Sequence, residues 1–161
     1  MKKRIRLLSL LPIILVIALL TAVPTMAGAT RTEFTAWDIP GDLSGGRTWM
    51  ENGYLYMRNM EGTTTIAQLE PEEDLNISGA FMLTLNANID LTTGCGHFWG
   101  KAVNENWIVS YQGEMCIDSS GNPISFRTKG VGKGKGELKD LHMRYDNVNG
   151  FMTGYILETP D

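Results

Sequence analysis

The 161-residue chain carries 14 Lys and Arg against 18 Asp and Glu, with two histidines and two cysteines. Four of the basic residues fall within the first six positions, so residues 28–161 keep 10 against 18, a formal net charge of −8. That balance excludes a protein drawn to nucleic acid or to an anionic membrane surface by long-range attraction.

Lys2, Lys3, Arg4 and Arg6 precede an apolar run from Leu7 to Val23, followed by Thr25-Met26-Ala27. A basic start, an apolar middle and small residues before a cut form the pattern of a secretory signal. Residues 1–27 are expected to be removed, with cleavage after Ala29 as the next choice, leaving residues 28–161 as a single secreted or periplasmic domain. The alternative is a retained anchor, since the run is near the lower limit for spanning a bilayer. No second membrane segment follows, so no membrane contact is expected after cleavage. Both cysteines lie in the exported part, where a structural disulfide is the default.

Phe34–Trp37 reads as a first strand, ended by Pro40-Gly41. Asn52-Gly53 is a tight-turn signal between Arg47–Met50 and Tyr54–Arg58. Gly62–Leu69 is rich in β-branched residues, and Pro71 closes it. From Leu75 to Leu91 every odd position is apolar or glycine, and most even positions are polar. Strict period two means one buried and one wet face. At about 3.3 Å per residue such a strand would span roughly 50 Å, so it must bend, and Gly79 is the expected place.

Cys95–Cys116 reads as a hairpin turning at Glu105 and Asn106, the polar point between two apolar runs. Pairing about that point sets Gly100 opposite Tyr111, His97 opposite Glu114 and Cys95 opposite Cys116. It places Phe98, Ala102, Trp107, Val109, Tyr111 and Met115 on one uncharged face. The cysteines share the other face with His97, Trp99, Lys101, Ser110, Gln112 and Glu114. A one-residue slip would turn Trp107 and Tyr111 outward against Phe98. Asp118–Pro123 makes the next turn. Ile124–Val131 and Gly134–Tyr145 follow as strands, and Asn149-Gly150 leads into Phe151–Leu157, where Phe151, Tyr155 and Leu157 share a face. Short strands joined by Gly, Asn and Pro turns, with no amphipathic helix, predict an all-β fold: an eight-stranded antiparallel barrel or, alternatively, a β-sandwich.

No constellation names a chemistry. Gly130, Gly132, Gly134 and Gly136 recur every second residue, which fits neither a P-loop nor a dinucleotide fingerprint. On a strand they clear one face for a bend or for a large aromatic. His97 and Glu114 are expected as an exposed cross-strand ion pair instead of an acid–base dyad. Asn86, Asn88 and Asp90 form a polar ladder, too extended to share one cation without help from loops. No catalytic residue, metal set or cofactor motif is assigned.

Glu33–Asp38, Gly96–Gly100, Trp107–Gly113 and Gly132–Leu141, in that order, resemble small secreted proteins built like the allene oxide cyclase barrel, a fold shared with plant dirigent proteins. The resemblance covers most of residues 33–145 and implies an eight-stranded barrel with a central cavity. It carries over no active-site motif. The leading expectation is a non-enzymatic exported barrel that binds a small apolar ligand or a surface partner, with Phe98, Trp107, Val109 and Tyr111 as the binding side chains. An isomerase or cyclase acting in the cavity is the second expectation, and a purely structural surface or matrix protein the third.

Overall fold

The computed structural model describes residues 29–159, so the expected signal segment, residues 1–27, lies outside the described residues. Nine strands form one antiparallel sheet: β1 (Thr30–Ser44), β2 (Arg47–Glu51), β3 (Tyr54–Glu70), β4 (Gly79–Asp90), β5 (Cys95–Val103), β6 (Trp107–Ile117), β7 (Pro123–Gly134), β8 (Leu141–Val148) and β9 (Phe151–Glu158). Each strand from β3 to β9 pairs with the next, β9 pairs with β1, and β1 returns to β3. Eight strands therefore close in a ring, and closure removes the free edges that an open sheet would expose. β2 is the ninth strand. It continues the line of β1 beyond Gly45-Gly46 and pairs only with the first part of β3, across the Asn52-Gly53 turn. Both turn residues have positive φ (51° and 81°), as the tightest hairpin turn requires.

The β5–β6 hairpin has the expected register throughout: Cys95 faces Cys116, His97 faces Glu114, and Gly100 faces Tyr111. Its turn is the expected Glu105-Asn106, closed by Asn104 N–H donating to the Trp107 carbonyl at 3.1 Å. The Asn104 side-chain oxygen accepts from the Asn106 and Trp107 amides at 2.9 and 2.7 Å, a local Asx turn that holds the hairpin's end. Phe98, Ala102, Trp107 and Val109 are buried, whereas Trp99, Lys101, Ser110 and Gln112 are exposed. Cys95 and Cys116 form a disulfide with a Cα separation of 4.0 Å, slightly closer than the usual range because the two residues face each other directly on paired strands. The bridge closes a 21-residue separation. In the chain-entropy account, replacing both cysteines by alanine should cost about 3 kcal/mol, read as a lower urea midpoint that reductant no longer changes.

Four expectations about element boundaries do not hold. Tyr54–Arg58 and Gly62–Leu69 are not separate strands but parts of β3, joined through a bulge between Met57 and Met60. β1 does not end at Pro40-Gly41 but runs on to Ser44, because the register shifts between Pro40 and Leu43 and the proline falls at that irregularity. Leu75–Ser78 is not strand, and β4 begins only at Gly79, whose φ of 115° marks the corner. There the Gln68 side chain captures the backbone: its amide donates to the Pro71 and Glu73 carbonyls, and its oxygen accepts from Leu75 N–H. Gly134–Tyr145 is likewise not one strand. Gly136, at φ 56°, starts a short 3-10 turn over Gly136–Leu138 before β8.

The segment 71–78 folds across one end of the ring and closes it. Ile77 is 1% exposed and packs with Phe34, Phe81 and Trp107. Trp107, fully buried, donates its indole N–H to the Asn76 carbonyl at 2.9 Å, satisfying the one polar atom of that ring. The alternate glycines of β7 clear space as expected: the Tyr145 ring lies across Gly130, and Gly132 borders Trp107, Val109 and Met143. On β9, Met152 and Ile156 point inward, so Phe151, Tyr155 and Leu157 share the outer face.

Candidate functional site

Alternation along each strand sends one set of side chains into the ring. They pack into two apolar clusters. One, around Trp107, lies at the closed end; the other contains Met60, Leu85, Ala87, Ile89 and Phe98. A cavity of about 520 Å³ touches both clusters and reaches a mouth formed by Pro40–Leu43 and Gly121–Pro123. Phe98, Val109 and Tyr111 line it. Trp107 does not: its ring is spent on the closed end, against Ile77 and Gly132.

Most of the lining is apolar, and the polar groups converge. Asp38 on β1 reaches into the cavity, where one carboxylate oxygen accepts from the Thr64 hydroxyl on β3. The other oxygen accepts from the Asn147 amide on β8 at 2.6 Å. Asn147 is itself buried, and its carbonyl oxygen accepts from Gly150 N–H at 2.9 Å, which fixes the amide's orientation. Burial raises the Asp38 carboxyl above its ordinary value, and the hydrogen bonds from Thr64 and Asn147 pull back only part of that shift. Tyr111 and Tyr145 stand nearby, their phenols pushed upward by burial first and then by the Asp38 charge. Both therefore stay protonated at physiological pH. The Tyr111 hydroxyl donates to the Thr84 carbonyl at 3.1 Å, whereas the Tyr145 hydroxyl has no hydrogen-bond partner among the described residues. The site offers a half-buried carboxyl held above its ordinary value and a phenol with no partner among the described residues, inside largely apolar walls.

Asp38, Thr64, Asn147 and Tyr145 are absent from the sequence-based site. A signal existed: Phe34, Ala36 and Asp38 share one parity, as do Met143, Tyr145 and Asn147. Ending the first strand at Trp37 hid the first series.

A larger hollow of about 980 Å³ lies on the outer face of β1, β6, β7, β8 and β9. It is open, and its charges largely cancel: Arg31 pairs with Glu33 at 2.9 Å, and Lys129 with Asp146 at 3.7 Å. Exposed pairs of this kind contribute little. The same holds for His97 and Glu114, 3.9 Å apart and both exposed. The lumen is the better-formed site. Comparison with protein-family models, curated proteins and solved structures finds no match.

The raised Asp38 carboxyl has a measurable consequence. The folded chain binds that proton more readily than the unfolded chain does. Stability is therefore lost as pH rises from the unfolded value near 3.8 through the raised folded value, and is level above it. Asp38→Asn keeps the shape and cannot ionise. Its urea midpoint should gain steadily on the wild type's across that window, and a constant difference between pH 3.5 and 8 would contradict the assignment.

Proposed function

We propose that this protein binds a small, mainly apolar molecule carrying at least one hydroxyl or carbonyl group within the lumen of an exported ring of strands. The observation that carries this reading is the cavity of about 520 Å³, whose apolar walls hold one convergent polar group around Asp38. Cavities of a few hundred Å³ with few polar groups are the usual form of small-molecule sites. Phe98, Val109 and Tyr111 would supply the apolar contact, Tyr145 the donor and Asp38 the acceptor. Export is supported by the Cys95–Cys116 disulfide and the basic-then-apolar start of the chain. Among the described residues no helix is long and apolar enough to cross a membrane.

Titration of the protein with fatty acids and phenols, followed by tryptophan fluorescence, tests the proposal. Saturable changes are expected, and Val109→Phe, which narrows the lumen, should weaken binding at least tenfold. Flat titrations across the panel would end the ligand reading.

A second reading is favoured by one feature, the carboxyl raised by burial inside the cavity. We infer from it that an isomerase or cyclase could work here, with Asp38 exchanging a proton and the walls holding a reactive intermediate in one conformation. Asp38→Asn would then retain binding and lose turnover. The third expectation, a purely structural role, gains nothing from an open lumen.

A further inference from the structure

We propose that the outer face of the β2–β3 hairpin and its neighbours β4 and β5 is a second binding site, for a neutral glycan. Trp49 and Tyr56, cross-strand partners, stack with centroids 5.2 Å apart and planes 14° from parallel. Tyr54 extends the row, 6.2 Å from Tyr56. Trp99 stands on the other side of Arg58, whose guanidinium carbon is 5.2 Å from the Trp99 ring and 5.5 Å from those of Trp49 and Tyr56. Trp49 is 41% and Trp99 38% exposed, although rings of this size are more often covered.

The platform is fixed before any ligand arrives. Arg58 donates to the Met57 and Ala87 carbonyls at 2.7 and 2.8 Å and to the Asn88 side-chain oxygen at 2.7 Å. The Asn59 N–H donates to the Asn86 side-chain oxygen at 3.0 Å. Both amide oxygens of the polar ladder are thereby occupied, which leaves the two NH₂ groups as the available donors. Asn86 is the cross-strand partner of Trp99, and Asn88 that of His97. The Trp49–Tyr56 stack and Trp99 thus flank Arg58 beside the two amides, and the parts of the Trp49 and Trp99 rings left uncovered are what a ligand would meet.

The same contacts narrow the ligand. An external cation is excluded, because Arg58 already fills the space between the rings. A carboxylate would find three of the five N–H groups of Arg58 already spent on protein acceptors, and the chain's net negative charge opposes its approach. Nucleic-acid bases stack on such rings, but a chain of net charge −4 repels their phosphates. A wholly apolar partner would strip water from the Asn86 and Asn88 amides without replacing it. A neutral sugar ring suits all of these terms: its C–H face lies on an aromatic face, and its hydroxyls accept from the amides.

Retention on insoluble cellulose, chitin and xylan, with free cellohexaose or chitohexaose as competitor, tests the site. At least one of these solids should retain the protein, and the free sugar should release it. Trp49→Ala/Trp99→Ala should reduce the bound fraction tenfold or more, and both positions are exposed enough for the ring of strands to fold normally. Asp38→Asn should bind the solid as wild type does, which separates this site from the lumen. No retention on any solid, retention unchanged in the double variant, or retention that no free sugar competes with would overturn the proposal.

Discussion

Trp107→Ala should cost about 3–5 kcal/mol, the range for emptying a fully buried aromatic site. The side chain has no exposed surface and joins β6 to the segment that closes the ring. Its removal leaves a void beside Ile77 and Gly132 and orphans the Asn76 carbonyl that the indole N–H satisfies. Trp107→Phe separates the two effects. It keeps most of the packing and loses the donor, so a smaller loss of about 1–3 kcal/mol is expected. Urea unfolding measures both. Limited proteolysis adds a local readout: cleavage within residues 71–78 should rise sharply in Trp107→Ala and only moderately in Trp107→Phe. Equal stability of Trp107→Ala and wild type would mean that the segment is not held through this ring.

Gly100→Ala should be nearly as damaging, about 3 kcal/mol or more, at the upper end of what overpacking costs. A methyl group there would collide with the Thr84 carbonyl oxygen on β4 and come within 2.6 Å of the Tyr111 hydroxyl. The phenol could swing into the cavity, but the carbonyl belongs to the wall and cannot. Gly132→Ala is the control on the same inner face, two strands away. Its nearest neighbours would be Met143 at 3.1 Å and Trp107 and Val109 at 3.4 Å, a tight but adjustable fit. The expected order is a large loss for Gly100→Ala and one below about 1 kcal/mol for Gly132→Ala. A reversal would show that strand β4 yields more easily than the packed aromatics.

Legibility followed the range of the interactions involved. The Cys95–Cys116 hairpin could be read because its turn, its two faces and its disulfide are all encoded within one short stretch and agree. The glycines of β7 could be read because period two is itself a geometric statement. Leu75–Ser78 has the same alternation, yet Gln68 takes its backbone partners and diverts it from the sheet. Nothing within residues 75–78 announces that distant capture. Asp38 was hidden for a related reason. Pro40-Gly41 is ordinarily a stop, but pairing of Pro40 with Thr64 and of Leu43 with Gly62 on β3 carries the chain through it. The polar centre of the lumen joins β1, β3 and β8; parity along β1 and β8 marks Asp38 and Asn147 as inward, but nothing local says that the two meet.

The closed end near Ile77 and Trp107 makes the lumen a cul-de-sac. A guest of the kind proposed would leave by the door it came through, and a second molecule would have no way to displace it from behind. Its residence time would then be governed by the doorway between Pro40–Leu43 and Gly121–Pro123, not by the grip of the walls alone.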